Sequence, residues 1–186
     1  MASVSCLTSS LRALWAIGVI VSALASPSLL LAETERESAP LISVTDGDTI
    51  AVQIGRHKEK VRLIGIDTPE SRINDRARLQ AERSKRDVST ILRMGKQSGK
   101  ALKEMAAPGT SVQLEYDVRE RDKYGRLLAY VYLPHGTMLN EEMLKKGYAQ
   151  LLTMPPNVRY VKRFTAALEE AKKERRGLWA DGGFSN

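Results

Sequence analysis

The stretch from Thr45 to Glu70, TDGDTIAVQIGRHKEKVRLIGIDTPE, does most to limit how this chain can fold. Ile50, Val52 and Ile54 alternate with Thr49, Ala51 and Gln53, and residues 61–66, VRLIGI, form a nearly continuous apolar run. A period of two fits a strand with one buried face, and a short continuous run fits a strand covered on both faces. Asp46-Gly47-Asp48 and residues 55–58 supply turns, and Ile42 and Val44 extend the pattern backwards. The segment therefore predicts three consecutive antiparallel strands. Its acids sit at the two ends, Asp46 and Asp48 at one and Asp67 and Glu70 at the other, with Arg62 inside the apolar run. Hairpin pairing brings such ends together.

Residues 71–86 are dense in charge and read as a solvated loop. A helix over residues 87–105 follows from the spacing of Val88, Ile91, Leu92, Leu102 and Met105, although Gly95 and Gly99 lie inside it. Pro108-Gly109 stops it. SVQLEYDV predicts a fourth strand with Val112, Leu114, Tyr116 and Val118 on one face and Ser111, Gln113, Glu115 and Asp117 on the other; RLLAYVYL, residues 126–133, predicts a fifth. In residues 140–147 Asn140 can cap a short helix, Leu139 can staple to Leu144, and Gly147 suits the left-handed stop. Val158, Val161, Phe164 and Leu168 repeat at helical spacing, with Lys172, Lys173, Arg175 and Arg176 in the last turns before Gly177, and Leu178 and Trp179 positioned to fold back on the core. Five strands, a helix after the third and two more at the end make an α+β order that suits a small closed barrel with helical cover.

The first 32 residues differ from the rest. They hold one charge, Arg12, then the apolar run ALWAIGVIVSALA and a small-x-small site at Ala23-Leu24-Ala25. This is the layout of a secretory signal peptide over residues 1–25, with cleavage as late as 32, and it predicts a secreted or periplasmic protein. The alternative is an uncleaved tether, since apolar residues resume after Pro27; against it, the run is short of the ~20 residues that span a bilayer. The sole cysteine, Cys6, lies in this leader, so the remainder has no thiol, disulfide or cysteine metal site. Residues 33–40 read as a polar linker, 41–180 as the folded domain and 181–186 as a tail. The net charge of +7 suits a polyanionic partner or simple solubility.

With Asp48 just past one turn and Asp67 at the end of the third strand, both can face one cation. The donors on offer are carboxylates, a backbone carbonyl near Thr68 and water, an all-oxygen set that suits Ca²⁺ better than Mg²⁺. His57 and His135, the only histidines, sit in predicted turns, which argues against zinc or copper. Such a site beside a basic surface suits a phosphodiester. Arginine forks at Arg62 and Arg126 can each bind two phosphoryl oxygens, and Glu70 is the candidate base for a water.

VTDGDT, VRLIGIDTPE, DKYGRLLAYVY, MLNEEMLKKGYA and ERRGLW, in that order, resemble the staphylococcal nuclease (thermonuclease) family over residues 41–179. The resemblance implies an OB-fold, a five-stranded barrel with three covering helices. It also implies a monomer that cleaves DNA and RNA with Ca²⁺, breaking the 5′ P–O bond to leave 3′-phosphate ends. Asp48, Asp67 and the backbone oxygen of Thr68 match direct ion ligands, and Asp46 matches a carboxylate acting through water. Glu70 matches the residue assigned to the attacking water, Arg62 and Arg126 the phosphate-binding arginines, and Lys123 and Tyr124 contacts to a terminal phosphate. Two departures stand out. Thr153 and Pro155 replace two tyrosines on which a base or sugar packs, and Tyr148 or Tyr160 are possible substitutes. The basic stretch 71–86 is longer than its counterpart and borders Glu70. A non-catalytic OB-fold module that binds nucleic acid or protein is the competing reading; retention of Asp48, Asp67, Glu70, Arg62 and Arg126 together favours the enzyme.

Overall fold

The period-two pattern produces the expected meander in the computed structural model, which describes residues 35–180 and 182–184. Strands β1 (Arg36–Asp46), β2 (Thr49–Ile54) and β3 (His57–Leu63) pair antiparallel in sequence order. The two-residue strand β4 (Ile66–Asp67) leads to helices α1 (Asp75–Ser84) and α2 (Val88–Met105). Then come β5 (Ser111–Arg121), β6 (Leu127–Tyr132), α3 (Leu139–Lys145), β7 (Gln150–Leu151), α4 (Val161–Lys173) and a 3₁₀ turn at Gly177–Trp179. The barrel closes in the order β1-β2-β3-β6-β5 and back to β1. Leu41, Ile50, Val52, Val61, Leu63, Val112 and Leu114 are buried in the core, each contributing roughly 1.5–3 kcal/mol relative to exposure.

The one parallel pair decides where the site forms. β3 lies beside β6 with Val61 opposite Leu127, Arg62 opposite Leu128 and Leu63 opposite Ala129. Arg126, immediately before β6, therefore arrives at the same end of the barrel as Arg62. Asn140 holds this junction. Expected as a helix cap, it is instead fully buried: its side-chain oxygen accepts from Val131 N at 2.9 Å, and its amide donates to Ile64 O at 2.8 Å and Ala129 O at 3.2 Å. The cap position of α3 falls on Met138, with Leu139 already helical, so the expected Leu139 staple is absent.

Other expectations need correction. Residues 36–40, read as linker, form the first half of β1 and pair with β5 from Arg36 opposite Glu115 to Pro40 opposite Ser111. Their polarity is used by neighbours: the Arg36 guanidinium lies 3.7 Å from the Tyr132 ring centroid, and Glu37 accepts from Tyr116 Oη at 2.6 Å. Among the described residues there are four α-helices, one more than expected, because much of the 71–86 loop folds as α1. Asn74 caps it, accepting from Ala77 N at 2.7 Å, and Lys85 ends it at φ +53°. Ala77 and Ala81, one turn apart, bury against Val88, Ile91 and Leu92 of α2. Val118 is exposed, not inward, where β5 shifts register between Tyr116 and Arg121. Glu115, expected to face solvent, is fully buried under Arg36, Arg159 and Tyr160. α4 begins at Val161, which leaves Val158 exposed, and it ends at Lys173, with Gly177 opening the 3₁₀ turn. Trp179 is buried as expected, its ring 4.9 Å from that of Phe184. The leader, residues 1–32, lies outside the described residues.

Candidate functional site

Gly47, in the turn between β1 and β2, is where the site begins. A Cβ there would stand 2.7 Å from Ser98 Cβ and 2.8 Å from Thr68 Oγ1, so only glycine lets the turn lie against both. That close approach brings Asp46 and Asp48 to the end of β4. Asp48 is buried. Its Oδ1 accepts from Thr49 Oγ1 at 2.9 Å, and its Oδ2 accepts from Thr68 N at 3.3 Å and pairs with Arg62 Nη2 at 3.0 Å. The same Arg62 nitrogen lies 3.0 Å from Asp67 Oδ1, while Nη1 donates to Leu63 O at 2.8 Å. A buried guanidinium, 2% exposed, thus ties the two aspartates that the sequence places nineteen positions apart. The β4–β7 ladder, with Asp67 opposite Gln150, fixes the backbone that presents Asp67.

Helix α1 adds a residue that the sequence reading missed. Arg76 pairs through Nη2 with Asp67 Oδ1 and through Nε with Glu70 Oε1 at 3.2 Å. Asn74 donates to Glu70 Oε2 at 2.9 Å. Gln80, also on α1, accepts from Glu70 N at 2.9 Å and donates to Thr68 O at 3.3 Å. The proximity of the basic stretch to Glu70 was legible; the helix that aims Arg76 and Gln80 inward was not.

Four acids, Asp46, Asp48, Asp67 and Glu70, meet two guanidiniums, so two formal negative charges remain uncompensated. Burial pushes the Asp46 carboxyl up, opposed by the Gly47 N–H and reinforced by the charges of Asp48 and Glu70. Burial likewise raises Asp67 against the pull of Arg76 and Arg62. Acids held charged at a cost, offering oxygen donors only, fit a hard divalent cation. The geometry also shows what such an ion would meet. Arg62 and Arg76 stand between the acids, Thr68 O already accepts from Gln80, and no three acid or histidine side chains among the described residues are set around an ion.

On the other side of Arg62 lies a cleft of about 380 Å³. Arg62, Arg76, Arg119, Lys123 and Arg126 supply five cations to its lining against one acid, Asp122. Asp122 organises the β5–β6 turn. Its Oδ1 accepts from the backbone N–H of Tyr124 at 2.9 Å and of Arg126 at 3.0 Å, and its Oδ2 takes Arg126 Nε at 2.7 Å. Burial alone would raise this carboxyl, but the Arg126 side chain and the two N–H groups bring it below the usual range. With Nε anchored, Arg126 lines the cleft. Tyr124 is 72% exposed, its ring centroid 5.1 Å from Lys123 Nζ and 5.5 Å from Arg126 Cζ. The lining also includes Leu152, Met154, Pro155 and Pro156, so Pro155, at one of the two positions where the resemblance expects tyrosine, borders the cleft. Tyr160 does not replace that tyrosine: its hydroxyl donates to Glu115 at 2.7 Å and its ring packs 4.6 Å from that of Tyr130.

Every residue expected at the site therefore falls on one of two adjoining surfaces, the acid cluster or the cationic cleft, with Arg62 belonging to both. His57, expected in a turn, opens β3 opposite Ile54, and His135 sits in the turn after β6; both are exposed and neither lines the cleft. Among the described residues no helix is long and apolar enough to cross a membrane.

Comparison with known proteins places this arrangement. Residues 60–181 match the family described as staphylococcal nuclease homologue. The thermonuclease of Staphylococcus hyicus is 32% identical over 151 residues, covering 81% of this chain and 80% of that protein. The thermonuclease of Staphylococcus intermedius is 35% identical over 143 residues, covering 77% and 76%. Endonuclease YncB of Bacillus subtilis (strain 168) is 36% identical over 151 residues, covering 77% of this chain and 64% of its own longer length. A five-stranded closed barrel, the matched profile and this identity over most of the chain agree: the protein belongs to the staphylococcal nuclease family.

Proposed function

We propose that the protein is an exported, calcium-dependent nuclease that hydrolyses phosphodiester bonds of DNA and RNA, cutting the 5′ P–O bond to leave 3′-phosphate ends. One observation carries the proposal: Arg62 joins a desolvated carboxylate cluster to a cleft lined by five cations. The names of the relatives, thermonuclease and endonuclease, support the reaction class. Arg62 and Arg126 are the arginines that grip the phosphoryl oxygens and offset the charge gathering on them in the transition state; Arg62, whose Nη1 is held by Leu63 O and Nη2 by Asp48 and Asp67, would exchange a carboxylate partner for the phosphate. Glu70, oriented by Asn74 and Arg76, takes the proton of the attacking water. Asp48, Asp67 and the Thr68 carbonyl would hold the ion, with Asp46 acting through water. A bound Ca²⁺ would polarise the phosphate and position that water. Lys123 and Tyr124, at the tip of the β5–β6 turn, meet a terminal phosphate.

Thr153 and Pro155 in place of tyrosines remove base stacking, which is worth about 1–3 kcal/mol per base. The enzyme then holds a dinucleotide weakly and depends on its cations. Export rests on the apolar leader, and the enzyme works as a monomer. Plasmid digestion with Ca²⁺ and with chelator, alongside Glu70→Gln and end-group analysis, tests the proposal. Cleavage in Ca²⁺ that stops with chelator, 3′-phosphate ends, and a loss of about 10²–10⁴-fold in Glu70→Gln are expected. Undiminished cleavage with chelator, or 5′-phosphate ends, would overturn it.

A further inference from the structure

A second groove, about 460 Å³, opens on the far side of the acid cluster. It is lined by Asp46 and Ser71 at the catalytic end, by Arg72 on one wall and by Lys96, Lys100 and Lys103 of α2 on the other. The helix lies this close because its packing face is small. A Cβ on Gly95 would stand 2.3 Å from Glu70 O, and one on Gly99 would have Gly47 N as its nearest neighbour at 3.9 Å. These two glycines form the groove floor, so the lysine stripe runs directly beside the turn that bears Asp46 and the backbone of Glu70.

Lys96, Lys100 and Lys103 occupy positions i, i+4 and i+7 and therefore one helix face, rising about 6 Å and then about 4.5 Å along the axis. All three are exposed, and among the described residues the only acid paired with them is Glu104, 3.7 Å from Lys100 Nζ at an exposed position. A pair of that kind is worth little in water. The groove has no exposed apolar side chain, since Val44 is its one large apolar member and is buried. A protein partner would need an aromatic or aliphatic anchor site, and none is offered. Regularly spaced flexible ammonium groups, with Arg72 facing them, fit a chain of phosphates.

We propose that this groove holds the backbone of a single polynucleotide strand on the side of the scissile bond opposite the Lys123–Tyr124 cleft. The inference rests on the nuclease reading and deepens it. The strand enters along α2, crosses the acid cluster with its scissile phosphate between Arg62 and Arg126, and leaves past Tyr124. Phosphate contacts spread over both flanks explain how a cleft without stacking tyrosines retains its substrate.

The test compares wild type, Lys96→Gln/Lys100→Gln/Lys103→Gln and the triple arginine variant on a long single-stranded DNA and on a dinucleotide too short to reach the groove. On the long strand the glutamine variant should show a raised KM, and its plot of log KM against log salt should be shallower by about 2, as loss of three contacts to a single strand requires. The arginine variant should restore both. Kinetics on the dinucleotide should match wild type, so a failure here is separate from a failure of the nuclease reading, which would abolish hydrolysis of both substrates by wild type. An unchanged slope on the long strand, or equal losses on both substrates, would overturn the inference.

Discussion

Gly95→Ala sets two forces of opposite sign against each other. In an open helix, alanine is favoured over glycine by about 1 kcal/mol. Here the added Cβ would stand 2.3 Å from Glu70 O and 2.6 Å from Pro69 O. Both are backbone atoms, so no side chain can rotate away. To regain an ordinary contact, the Pro69–Glu70 segment must retreat from α2 by about 1 Å. It is not free to do so, because Gln80 holds Glu70 N and Thr68 O while Asn74 and Arg76 hold the carboxylate. Overpacking of this kind costs about 1–3 kcal/mol, which outweighs the propensity gain. A displacement of about 1 Å at the proposed base lowers kcat by about 10²-fold. Gly99→Ala, one turn later, has its nearest neighbour at 3.9 Å and keeps only the propensity gain, about 1 kcal/mol of added stability. Urea unfolding of both variants and steady-state hydrolysis by the first read these effects. A Gly95→Ala protein more stable than wild type with full kcat would refute the argument.

Removing Arg76 should separate ion binding from turnover. Arg76→Met frees Asp67 and Glu70 from a cation, so Ca²⁺ titrated calorimetrically without nucleic acid should bind about tenfold more tightly, a modest gain because Arg76 is nearly half exposed. Weaker binding would show that Arg76 shapes the site instead of competing for it. Glu115 sets an acid limit on stability. Burial opposes its charge, but hydrogen bonds from Tyr160, Arg159, Tyr132 and Arg36 carry its pKa below the ordinary 4.5. A depressed folded pKa contributes stability above the unfolded value and loses it as pH falls through the folded one. Glu115→Gln should therefore be less stable near neutrality by about 2 kcal/mol, with the difference closing as pH falls from the ordinary 4.5 through the lowered folded value. Parallel stability curves for the two proteins across that range would contradict the assignment.

The barrel was legible because its signals are local. Alternation in Ile50–Ile54, the Asp-Gly turn and the continuous run at residues 61–66 each need only their neighbours to be read. The site acids were legible for the same reason, since a meander must bring Asp48 and the end of β3 together. What escaped depends on pairing across long separations. Asn140 looks like a cap until Ile64, Val131 and Ala129 are known to lie around it. Glu115 looks like a solvent-facing strand residue until Arg159 and Tyr160, more than forty positions on, cover it. α1 escaped because Ala77 and Ala81 are its only buried residues, too small an apolar stripe to stand out among so many charges.

That thin stripe has a consequence for how the catalytic centre is held. Glu70 follows β4, outside the barrel strands, and owes its position to α1, through Asn74, Arg76 and Gln80, and to α2, through Gly95. Arg62, by contrast, sits on a paired strand in the core, and Asp48, buried in the β1–β2 turn, is tied to that strand by Leu63 N donating to its carbonyl at 2.9 Å and by Arg62 itself. Arg62, proposed to grip the phosphate, is therefore as rigid as the barrel, whereas Glu70, proposed to accept the proton, is as rigid as a helix docked by two alanines. Local opening draws on the elements with the least buried apolar contact. Destabilising α1 without touching any acid, as Ala81→Gly would, should lower kcat while the barrel still unfolds at the wild-type urea midpoint. Hydrogen exchange should then report faster opening in residues 75–84 alone; equal acceleration in β3 and β6 would mean that the site and the barrel are one cooperative unit.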